Sequence, residues 1–146
     1  MNEYENENVI KGYVEALLWA NAYHYVDPGN GEPESEHYGS AHHEFDLSDF
    51  SDEDQADIRE QVSAFLESNE GDFLLYVETF SYKPWCHSVA DAEELFGHDF
   101  LLTRSGHGAG FWDRGLGPIG DRLSDEAHHF GETNLYRGDD GLLYFA

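Results

Sequence analysis

The nineteen residues GHDFLLTRSGHGAGFWDRG, Gly97 to Gly115, put glycines, aromatic rings and charges side by side, and they constrain the fold more than any other stretch of the chain. Asp99 to Arg104 reads as a strand, Ser105 to Gly108 as a turn, and Ala109 to Arg114 as the returning strand of a β-hairpin. Gly106, Gly108 and Gly110 permit positive φ and close backbone approach. In the returning strand Phe111 and Asp113 share one face, and Trp112 and Arg114 share the other. Arg104 is then placed to pair with Asp113 across the hairpin. His107, Phe111, Trp112 and Arg114 are the candidate binding residues of this element.

The flanking sequence predicts helices before the hairpin. Val9, Tyr13, Leu17 and Ala20 recur at helical spacing, so residues 8–25 read as a helix capped by Asn6 or Asn8. Asp27-Pro28-Gly29-Asn30-Gly31 stops it, and residues 27–46 read as a polar, flexible loop. Ser51 followed by Asp52, Glu53 and Asp54 marks a second helix start, with Ile58, Val62, Phe65 and Leu66 as its core stripe. Phe73 to Tyr82 reads as a third helix, with a strand as the alternative. Ser88 caps a fourth, VADAEELF, which Gly97 ends as its C′ residue. After the hairpin, Ile119 to Phe130 reads as an amphipathic helix ended by Gly131. Asn134–Arg137 and Leu142–Phe145, joined by Gly138-Asp139-Asp140-Gly141, read as a second hairpin. The order of helices followed by β-β-α-β-β predicts an α+β fold. The length fits one domain over 1–146, with a helical acidic part to residue 96 and the motif-bearing part from 97.

Charge narrows the function. Thirty-one Asp and Glu face seven Lys and Arg, a formal net charge of −24. Residues 1–73 carry nineteen of those acids against only Lys11 and Arg59. Such a field repels phosphate backbones and anionic membranes, so direct nucleic-acid or membrane binding is disfavoured, whereas a basic protein surface is attracted. Asp49, Glu53, Asp57 and Glu60 recur at spacings of four, four and three, a ladder of carboxylates on one exposed face. Repeated carboxylates along a helix imitate the phosphate spacing of DNA. Acidity also improves solubility or reflects salt adaptation, and that reading stays open beside the working surface.

Other chemistries have weaker signals. Cys86 is the single cysteine, which fits a reducing cytoplasm. The N-terminus lacks the basic and apolar regions of a signal peptide, and no apolar run reaches the length of a membrane span. His98, His107 and Asp113 are candidate metal ligands, and Glu94-x-x-x-His98 has i, i+4 spacing, but no HExxH or CxxC motif accompanies them. No GxSxG elbow is present, and Cys86 beside His87 is a poor nucleophile–base arrangement. No cofactor and no catalytic residue is assigned.

The segment Gly97-His98-Asp99-Phe100, Thr103-Arg104, Gly106 to Gly115 and Gly138-Asp139-Asp140-Gly141 resembles a family of small proteins of unassigned function encoded by tailed bacteriophages and prophages. Members commonly carry Trp where Leu101 stands and Asn where Ser105 stands. The resemblance implies phage origin and a bacterial host cytoplasm, and it transfers no activity. Together with the charge, it sets the leading expectation: a non-enzymatic accessory protein that binds a host protein with a basic or DNA-binding surface, as a DNA mimic. The alternatives are a binding module that uses hairpin 105–114 for a peptide or small ligand, and a metal-dependent enzyme.

Overall fold

A computed structural model describes residues 4–20, 46–106, 110–132, 135–137 and 143–145. Five α-helices carry the fold among them: α1 (Glu7–Ala20), α2 (Asp52–Ser68), α3 (Glu70–Ser81), α4 (Val89–Arg104) and α5 (Pro118–His128). Two three-residue strands, β1 (Leu135–Arg137) and β2 (Leu143–Phe145), pair antiparallel with Tyr136 opposite Tyr144. The loop expected over 27–46 lies outside the described residues except for Asp46, as do residues 21–25 and the turn 138–141.

Local chemistry sets the helix starts. Asn6 Oδ1 accepts from the backbone N–H of Asn8 and Val9 at 3.0 and 3.1 Å, capping α1. Ser51 Oγ accepts from Asp54 N at 3.2 Å, and Ser88 Oγ from Asp91 N at 3.1 Å. Three carboxylates in the first turn of α2 face the positive end of its dipole. Between α2 and α3 the chain turns at Asn69, whose amide donates back to Phe65 O at 2.9 Å.

The α+β expectation is overturned: the protein is predominantly helical, and the segment read as the first hairpin strand is the second half of α4. Gly97 does not end that helix. A Cβ at Gly97 would overlap the Val9 carbonyl oxygen of α1, and a Cβ at Gly12 would overlap the Glu94 carbonyl oxygen of α4. The two helices cross with their backbones in contact, and the two glycines make that approach sterically possible. From this crossing α4 runs on as the central helix, packed along α1 and also against α3 and α5. Asp99 to Arg104 are all buried. A helix covered on every side shows no polar face, so its sequence lacks the 3.6-residue period and imitates a short buried strand.

The supposed turn and return strand also differ. Beyond α4 the chain reaches Gly110 and a 3₁₀ turn over Phe111–Asp113. Gly110 has φ +148°, and a side chain there would overlap Thr103 Oγ1. That hydroxyl accepts from Phe111 N at 3.1 Å, which delivers the Phe111 ring into the core. There Phe65 and Phe100 stack at 3.9 Å between centroids, with Phe96, Phe111 and Tyr76 around them.

Candidate binding site

The motif holds the fold together through Asp99. This carboxylate is fully buried, and Arg114 grips it with Nε at 3.0 Å and Nη2 at 2.9 Å. Tyr76 donates its hydroxyl to the same carboxylate at 2.6 Å. One acid thus ties α3, α4 and the segment after the 3₁₀ turn. The fork geometry of a guanidinium on a carboxylate is the strong form of such a pair. Hydrogen bonds from Arg114 to Asp99 raise the Arg114 pKa, and burial followed by the Asp99 charge raises Tyr76 well above its ordinary value.

The expected Arg104–Asp113 pair is not formed. Arg104 is buried at the end of α4 and donates to Gly131 O and Phe130 O, each at 2.7 Å, to Tyr13 Oη at 3.0 Å, and to Gln61 Oε1. Gln61 in turn donates to Asp57 at 2.6 Å. The guanidinium also lies 5.7 Å from the Phe130 ring centre. Asp113 instead accepts from Gly110 N at 3.1 Å, closing the 3₁₀ turn.

Beside the Asp99 node lies an open cleft of about 320 Å³. Asp91, Glu94, Leu95 and His98 line it from α4, at the i, i+3, i+4, i+7 positions of one face. Glu15 faces it from α1, Trp85 and Cys86 from the link between α3 and α4, and Arg114 from the 3₁₀ segment. His98 Nδ1 is buried without a hydrogen-bond partner, and burial lowers the His98 pKa. The imidazole is therefore neutral at neutral pH. The Cys86 thiol, also buried, donates weakly to Ser88 O at 3.5 Å.

The hairpin residues chosen from sequence therefore separate. Phe111 is core, Arg114 is committed to Asp99, and Trp112 is 55% exposed. His107 lies outside the described residues. Of the metal candidates, His98 is in the cleft and Asp113 is in the 3₁₀ turn, and no group of three potential ligands gathers among the described residues. On the acidic face, Asp49 precedes α2 and accepts from Asp46 N at 2.7 Å, and Asp57 is held by Gln61. Glu53 and Glu60 are exposed. The sequence does not point to Glu15 and Trp85 because they come from separate elements, whereas Asp91 shares the α4 face with Glu94 and His98. The Glu94–His98 spacing was the one available signal. Comparison with known protein families, curated proteins and solved structures finds no match to this chain.

Proposed function

We propose that this protein binds the basic, DNA-binding surface of a bacterial host protein, with the acidic face of α2 standing in for a strand of DNA. The observation that carries this reading is the internal commitment of the cations. Lys11 pairs with Glu94 at 3.2 Å, Arg59 with Glu5 at 3.0 Å and with Glu7, Arg114 with Asp99, and Arg122 with Asp72 at 2.7 Å. Arg104 is buried against carbonyls. A net charge of −24 is thus presented with most of the described positive side chains already neutralised locally.

The spacing supports the same reading. Asp52, Glu53, Asp54, Asp57, Glu60 and Glu67 stand along the 17 residues of α2. At a rise of about 1.5 Å per residue, Glu53, Asp57 and Glu60 on one face stand about 6 and 4.5 Å apart along the axis, wider than the about 3.4 Å per charge of a single DNA strand but of the same order. The one cation of this helix, Arg59, turns away to Glu5 and Glu7 on the α1 side. The resemblance of Gly97–Gly115 to phage proteins gives the host as bacterial and the compartment as its cytoplasm. No described helix is long and apolar enough to cross a membrane.

The test is displacement of a labelled DNA duplex from purified host restriction nucleases, CRISPR-type nucleases, repressors and polymerases. The expected result is competitive displacement from at least one of them, weakening steeply with salt. Absence of displacement from all of them at low salt contradicts the reading.

A further inference from the structure

We propose that the cleft between α1, α4 and Trp85 is a binding site for a guanidinium group, the planar cation of an arginine side chain. The inference is independent of the α2 face, because the cleft lies on other elements.

Three carboxylates, from Glu15, Asp91 and Glu94, line the cleft with one indole, Trp85, which is 55% exposed. Glu15 makes no ion pair among the described residues, Glu94 pairs with the exposed Lys11 at 3.2 Å, whose charge also acts on Glu15 and Asp91, and Asp91 accepts from His87 N at 3.1 Å. The positive group on the wall, Arg114, is neutralised by its two bonds to Asp99. His98 adds no charge, since burial keeps its imidazole neutral. Lys11 offsets part of the charge of the three carboxylates, the balance in the cleft stays negative, and the Trp85 indole is part of its lining. That pairing of an indole with carboxylates is how proteins hold organic cations, and tryptophan is the strongest aromatic partner. A guanidinium suits it better than an ammonium, because a flat cation stacks on the ring while its N–H fork reaches carboxylates. The volume, about 320 Å³, accepts a side chain and excludes a folded element.

Binding is measured by heteronuclear NMR titration with Nα-acetyl-arginine-N-methylamide, with a blocked Gly-Gly-Arg-Gly-Gly peptide, and with the uncharged citrulline forms of both. Saturable binding of an arginine probe near 1 mM is expected, with shifts at Glu15, Asp91 and His98 and none for citrulline. Binding by the blocked peptide identifies a protein side chain as the source, and binding by the amide alone identifies a free small molecule. Trp85→Leu should weaken binding by about fivefold or more while circular dichroism stays unchanged. Glu15→Gln with Asp91→Asn should weaken it further and steepen no other transition. Equal binding of citrulline, unchanged affinity in Trp85→Leu, or no saturation by any probe overturns the proposal.

Discussion

Arg114 closes on Asp99 across fifteen residues of chain, Nε to one carboxylate oxygen at 3.0 Å and Nη2 to the other at 2.9 Å. The pair is built wholly within the Gly97–Gly115 stretch, and it explains why an acid and an arginine stand there. Replacing Asp99 with Ala removes both bonds and leaves the Tyr76 hydroxyl buried without its acceptor. Arg114 keeps partial access to water, so the expected loss is near the lower end for a broken buried pair, about 3 kcal/mol. Urea unfolding of wild type and Asp99→Ala measures it, and a loss under about 1 kcal/mol would show that the node is dispensable.

Tyr76 supplies the pH dependence. Its folded pKa lies well above the ordinary tyrosine value, through burial first and the Asp99 charge second. The folded state thus holds the phenol proton more tightly than the unfolded state. Its contribution is complete below about pH 10 and is lost as pH rises through that value toward the folded pKa. Tyr13 is raised by burial and acts in the same direction. Stability measured at pH 8 and about pH 10.5 should fall between the two, and Tyr76→Phe should reduce that fall. An identical fall in Tyr76→Phe would show that other groups carry it.

The α1–α4 crossing makes a contrast between glycines. Gly97→Ala forces a methyl group into the Val9 carbonyl, where only backbone movement gives room, and should cost at least about 3 kcal/mol. Gly71→Ala, at an exposed position of α3 with nothing within 4 Å, should stabilise by about 0.5 kcal/mol. Thermal unfolding of the two variants in parallel checks both signs.

The positions of Arg104 and Asp113 predict independent mutational effects. Arg104→Met frees the Phe130 and Gly131 carbonyls, the Tyr13 hydroxyl and Gln61 together, and should destabilise by about 2–4 kcal/mol. Asp113→Ala removes one exposed cap and should cost about 0.5–1 kcal/mol. A double-mutant cycle should show coupling within about 0.5 kcal/mol of zero.

The pattern of what could be read from the chain follows burial. Helices with one wet face announced themselves: α2 through Ser51 and its acidic first turn, α1 through Asn6 and its Val9-Tyr13-Leu17 stripe. The first half of helix α4 did so too, through its Ser88 cap, but the second half did not, because Asp99 and Arg104 sit inside the protein among Phe100, Leu101 and Leu102, where a polar face would normally mark the period. The glycine at 97 added to the error. Its role is a contact with Val9, 88 positions away, which no local rule reads. A hairpin would pair Arg104 with Asp113 by strand geometry, whereas the ion pair within the stretch joins Arg114 to Asp99. The cleft was half legible, since Glu94 and His98 share a helical face, but Glu15 and Trp85 join them only in three dimensions.

The central claim, that the α2 face takes the place of DNA, is tested most directly by the salt dependence of duplex displacement by wild type and by the Glu53→Lys, Glu60→Lys double variant. Both side chains are exposed, so the variant should keep the fold, at a cost of up to about 1 kcal/mol because Glu53→Lys puts a cation in the first turn of α2. The account predicts a linear fall of log affinity with log salt for wild type, and a shallower slope with at least about tenfold weaker displacement for the variant at low salt. Displacement that is independent of salt, or unchanged in the variant, would contradict it.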